Sequence, residues 1–132
     1  MQQRKVVLQL QHESFASRYQ LASMAITSAA AGDETWVVLW FGALQRWMEG
    51  RFDEALAGEE EGIAARLREL NLPPPGQMLE EARSLGARIV ACETGVRLAG
   101  LDPEQLGALV DHRPGLQEIL EAAKEASLSL YL

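Results

Sequence analysis

The stretch Ala87–Gly100, ARIVACETGVRLAG, decides how the chain folds. Arg88-Ile89-Val90-Ala91 is a short apolar run of the kind that a parallel sheet buries on both faces. It leads into a turn and then a short helical stretch, starting at Glu93 or Thr94, running through Val96-Arg97-Leu98 and stopped by Gly100. Cys92, the one cysteine of the chain, stands where strand gives way to helix. In open α/β sheets, ligands and reactive groups gather beyond the carboxyl ends of the strands, where a helix N-terminus adds partial positive charge. The thiol is therefore the best chemical handle in the sequence. The remainder reads as the frame that holds it.

Toward the N-terminus, Val6-Val7-Leu8-Gln9-Leu10 reads as a second buried strand and Gln11-His12-Glu13 as a polar turn. Ser14 caps a helix with Phe15, Tyr19, Ala22, Ile26 and Ala29 on one face, ended by Gly32. Thr35–Phe41, TWVVLWF, is β-branched and aromatic without a charge, a third strand. Its aromatic residues suit core packing better than a stacking platform. Ala43–Gly50 is expected to be a short helical or irregular segment carrying Trp47 and Met48. Asp53–Leu70 is expected to be helical, with Leu56, Ile63, Leu67 and Leu70 on one face. Gly58 and Gly62 inside it each cost about 1 kcal/mol relative to Ala, so a break is expected there. Glu59-Glu60-Glu61 suits a solvated face rather than a cation site, since three consecutive helical residues do not converge on one ion. Asn71–Gly76, NLPPPG, breaks the chain as a rigid loop, and Met78, Leu79, Ala82 and Leu85 mark a helix closed by Gly86.

Beyond Gly100, Asp102-Pro103-Glu104-Gln105 carries the cap and first-turn proline of another helix start. Leu109-Val110-Asp111 is expected to be a brief strand, followed by the turn His112-Arg113-Pro114-Gly115. The last helix places Leu116, Ile119, Leu120 and Ala123 on one face. Ser127–Leu132 alternates leucines with polar residues, as an edge strand does. The order alternates strand and helix, which predicts an α/β fold: a three-layer, doubly wound sheet of about five mostly parallel strands. With 132 residues, 1–132 is read as a single domain.

Composition narrows the function. Twelve basic residues against nineteen acidic ones, a net charge of −7, argue against a nucleic-acid surface. A lone cysteine forms no internal disulfide, and no Cys/His spacing suits a metal. The opening Met1-Gln2-Gln3-Arg4-Lys5 and the apolar run after it are too short for a signal sequence or membrane span. The expectation is a cytoplasmic protein without membrane attachment or metal. G-x-S-x-G, G-x-G-x-x-G after a strand and the Walker pattern are all absent, which disfavours nucleophilic hydrolysis and nucleotide binding.

Three polar junctions follow candidate strands: Gln11-His12-Glu13, Cys92-Glu93-Thr94 and Asp111-His112. A doubly wound sheet would put them on one edge, so Cys92, His12 and His112 are expected to share a cleft. A neighbouring His favours a thiolate, Glu93 opposes it, and Arg97 one turn on offsets that carboxylate. The plainer reading is that Cys92 packs as a small hydrophobe and that both histidines are ordinary turn residues.

Four blocks of the chain resemble the DsrE/DsrF-like family, which includes sulfur-relay subunits: KVVLQL with its following helix, WVVLWFGALQRWMEG, ARIVACETGVRLAG, and LQEILEAAKEASLSLYL. In relay-type members a cysteine lies between a strand and a short helix ending near a glycine, and Cys92 occupies that place. The resemblance implies a homo-oligomer (trimer or hexamer) or an assembly with related subunits, and sulfur donor and acceptor proteins as partners. It implies a persulfide carried on Cys92, with no metal or organic cofactor; His12, Thr94 and Arg97, read from the sequence as lying near that thiol, are expected to support it. The alternative is a non-catalytic, oligomeric binding or regulatory protein in which Cys92 is structural or redox-sensing. A third reading, a small-ligand enzyme with His12 as base, uses the same edge. The Phe41–Pro75 region is a candidate lid over it.

Overall fold

Hydrophobic runs at Val6 and Val37 build the centre of one parallel sheet, and that at Ile89 an edge of it. In the computed structural model, which describes residues 3–56 and 58–132, its strands are β1 (Lys5–Leu10), β2 (Glu34–Leu39), β3 (Arg88–Val90) and β4 (Leu128–Tyr131). They lie in the order β3-β2-β1-β4, and every neighbouring pair is parallel. The chain is thus an α/β protein whose sheet is flanked by helices. Those helices are α1 (Phe15–Ala30), α2 (Phe41–Met48), α3 (Glu59–Glu69), α4 (Pro75–Ser84), α5 (Glu93–Leu98) and α6 (Leu116–Glu125). Met1 and Gln2, from the opening stretch, and Ala57, within the segment expected to be helical, lie outside the described residues.

Alternation along the strands sends side chains to two cores. Val6, Leu8 and Leu10 join Val37, Leu39, Ile89 and Ala91 beneath α1 and α4, which contribute Leu21, Ala22, Ala25, Met78, Leu79 and Ala82. On the opposite face Val7, Trp36, Val38, Val90 and Cys92 pack against Ile119 and Ala122 of α6. This second layer is thin. Leu116 and Leu120, expected to be buried with Ile119, are 51% and 47% exposed, so α6 buries a narrower stripe than its spacing suggests.

Ser14 caps α1 as expected, its Oγ accepting the Ser17 N–H at 3.1 Å. The third strand ends earlier than its composition predicts. Trp40 still donates its N–H to Leu10 at 3.0 Å, but Phe41 adopts φ +44° and starts α2. The expected helix from Asp53 begins only after Gly58, whose φ of +90° breaks the backbone there, whereas Gly62 lies within α3. Of its expected face only Leu67 is buried; Leu56, Ile63 and Leu70 are exposed. The proline loop ends in a helix start, with Pro75 as the first residue of α4. Asp102 caps a 3₁₀ turn, Pro103–Leu106, by accepting the Glu104 N–H at 3.0 Å.

Where a fifth strand was expected at Leu109–Asp111, the chain makes a single parallel bridge, Val90 to His112. Asp111 and His112 donate to Ile89 O, and Ala91 donates to His112 O at 3.0 Å. The Ile89 N–H, however, is taken by the Asp111 carboxylate at 2.8 Å, and Pro114 has no N–H to extend the ladder. Among the described residues no helix is long and apolar enough to cross a membrane.

Candidate functional site

β3 delivers Cys92 to the carboxyl edge of the sheet, where it is the N-terminal cap residue of α5. The thiol is 2% exposed and lies among Val7, Trp36, Val38, Val90, Ile119 and Ala122, all apolar or aromatic. Trp40, only partly buried, packs against the same cluster. Its ring carbons lie 3.5 and 3.6 Å from where a Cβ on Gly95 would stand, and the Cys92 Cβ lies 3.8 Å from that point. The indole thus lies against the α5 backbone beside the cysteine, at a distance that leaves ordinary contact room for a Cβ at residue 95. The indole N–H is fixed by Gln9 Oε1 at 2.9 Å.

The helix terminus offers the thiol little. α5 has six residues, and the Glu93 N–H already donates to Pro114 O at 3.0 Å. Among the described residues no hydrogen bond reaches the Cys92 sulfur. The expected supporting residues are close in sequence rather than in contact. Arg97 is 78% exposed at its side chain and faces Glu93 at 3.9 Å, and Thr94 is exposed. His12 is exposed in the loop after β1. His112 sits edge-on to Trp36 with ring centres 5.5 Å apart, and its Nε2 pairs with Glu118. Trp36 is aligned with Arg88, the first residue of β3, so the His112 ring leans back along the sheet. The single cleft expected for Cys92, His12 and His112 is not formed by contacts among them.

Sequence reasoning missed two buried arginines at the same edge. Arg18 is 0% exposed and donates through Nε to Glu13 O at 3.0 Å, through Nη1 to Phe52 O and through Nη2 to Glu54 O at 2.6 Å. It thereby pins residues 52–54, part of the segment considered as a lid. Trp47, whose Nε1 donates to Leu109 O at 2.8 Å, and buried Phe52 fix that segment further. Arg46 of α2 is 7% exposed, and neither its Nε nor its Nη1 has a hydrogen-bond partner. The signal for Arg18 was its place three residues after Phe15, on the inward face of α1.

Among the described residues no group of three or more His, Cys, Asp or Glu gathers to hold a metal. An apolar groove of about 400 Å³ lined by Val6, Leu8, Met24, Thr27 and Leu128 lies along α1, across the sheet from Cys92.

No protein-family model and no curated protein matches the chain. Among solved structures, the chain is similar to MTH1491, a protein of unknown function from Methanobacterium thermoautotrophicum. The TM-score is 0.65 at 17% identity, covering 98% of this chain and 99% of that one. At that identity the likeness speaks for the fold alone.

Proposed function

We propose that the protein is an intracellular sulfur-trafficking domain that carries sulfane sulfur as a persulfide on Cys92 and passes it to a partner thiol. What supports the reading is the place of Cys92: the end of β3, the cap of α5, beside a partly exposed Trp40. The Cys92 thiolate attacks the outer sulfur of a donor persulfide, R–S–SH, forming Cys92–S–SH and releasing R–S⁻. An acceptor thiolate then attacks that outer sulfur, and Cys92 leaves as thiolate; no external oxidant or reductant is consumed. Trp40 acts as the shutter, shielding the loaded sulfur from bystander thiols and moving when donor or acceptor docks. A reducing compartment, the cytoplasm, keeps the resting thiol free. The exposed Leu116 and Leu120 support self-association, as a homo-oligomer or with related subunits, to be read from mass in solution.

The second reading is a non-catalytic binding or regulatory protein with Cys92 as a packed residue, and the 2% exposure of the thiol favours it. Alkylation of the native protein separates the two. A carrier thiol reacts while the fold is intact to give a label that dithiothreitol leaves in place, whereas after incubation with a persulfide donor the outer sulfur is alkylated instead, giving a disulfide-linked label that dithiothreitol removes. A packed thiol reacts only after denaturation.

A further inference from the structure

We propose that Arg46 and the first turn of α2 form a binding site for a small carboxylate ligand, and that Glu13 is a resident occupant which the ligand displaces. Gly42 and Arg46 are four residues apart and share one face of α2, and long helical side chains point back toward the N-terminus. Arg46 therefore reaches toward Gly42. The Glu13 side chain fills that same place: a Cβ on residue 42 would overlap its carboxyl group. The recess exists because residue 42 has no side chain.

Glu13 fits the recess without satisfying it. Its Oε1 is 3.6 Å from Arg46 Nε, beyond hydrogen-bond length, and its side chain is 54% exposed. Arg46 Nε is ion-paired with Glu13, but neither Nε nor Nη1 makes a hydrogen bond in its buried position, and unmade hydrogen bonds to buried charged donors are costly. A second guanidinium raises the demand. Burial first, and the charge of Arg46 second, make Arg18 hold its proton less tightly than usual. Arg18 spends its donors on the carbonyls of Glu13, Phe52 and Glu54 and lies 3.9 Å from Glu60, so the unmet donors are those of Arg46. A guanidinium beside a helix N-terminus matches a carboxylate in shape and charge, and the recess already admits one. The site does not depend on sulfur chemistry, although α2 packs against α5, the helix that Cys92 caps.

The test is an amide chemical-shift titration of the full chain with acetate, sulfate and phosphate at ionic strength held constant with chloride. Acetate is expected to give saturable shifts at Gly42, Ala43 and Glu13. Glu13→Ala removes the competing carboxylate and is expected to tighten acetate binding at least about tenfold, since an occluded site loses affinity by its occluded fraction. Arg46→Gln is expected to abolish the shifts, and Arg46→Lys to weaken them with the native spectrum retained. Equal acetate affinity in wild type and Glu13→Ala, or no saturable shift in either, would overturn the proposal. So would undiminished binding by Arg46→Gln. Saturation by sulfate and phosphate without acetate would overturn the carboxylate assignment.

Discussion

The Trp40 indole rests on Gly95, with ring carbons 3.5 and 3.6 Å from the position of a Cβ there, and both flank Cys92. Removing the ring opens the cluster from the side that faces the edge of the sheet. Trp40→Ala is expected to raise the alkylation rate of Cys92 in the native protein by at least about tenfold, while costing about 3 kcal/mol or less because Trp40 is only partly buried. Gly95→Ala is expected to be neutral or stabilising by up to about 1 kcal/mol, since its Cβ meets the ring at ordinary contact distance. An unchanged alkylation rate in Trp40→Ala would remove the indole from any gating role.

Arg18 is a structural clasp. Its guanidinium ties three backbone carbonyls, two of them in residues 52–54, and makes no contact with solvent. Arg18→Met leaves those carbonyls without a donor and is expected to destabilise the protein by about 3 kcal/mol. Arg18→Lys restores a charge but not the planar fork, so it is expected to recover only part of the loss. Denaturant unfolding of the three proteins checks the order.

A second anchor closes the edge of the sheet next to Cys92. Arg83 of α4 holds Asp111 through Nη2 at 2.8 Å and Nε at 3.1 Å, and Asp111 in turn accepts the Ile89 N–H. Burial pushes the Asp111 carboxyl up, but the hydrogen bonds from Arg83 and the Ile89 N–H outweigh it and hold it below the usual range. A depressed carboxyl stabilises the fold above its unfolded value, roughly pH 4, and that contribution is lost as pH falls through the folded value. Asp111→Asn is expected to cost about 1–3 kcal/mol at neutral pH and to flatten the acid limb of the stability profile. Equal acid limbs in the two proteins would contradict the assignment.

The frame was legible because its signals are local. Apolar runs at Val6–Leu10 and Arg88–Val90, the Ser14 cap and the strand–helix alternation all point to the same sheet, and each is visible within a few residues. What escaped depends on distant partners. Nothing beside Asp111 in sequence says that its carboxylate will replace a backbone acceptor on Ile89 and leave a bridge in place of a strand. The position of Arg18 on the inward face of α1 is local, but the partners of Arg18 and Arg46, the loop at 52–54 and Glu13, come from other segments of the chain. The positive φ of Phe41 was equally hidden, because the residue's own preference is for strand. Cys92 was placed correctly at a strand end, but its burial comes from α6 and Trp40, elements far from it in the chain.

The most direct test of the sulfur-carrier account is the intact mass of the reduced protein after incubation with polysulfide, measured beside Cys92→Ser. The account predicts that wild type alone gains the mass of one or more sulfur atoms, removed by cyanide or dithiothreitol and transferred to an added thiol. No adduct on wild type, with Cys92 also inert to alkylation in the folded state, would contradict it and leave the thiol as part of the core.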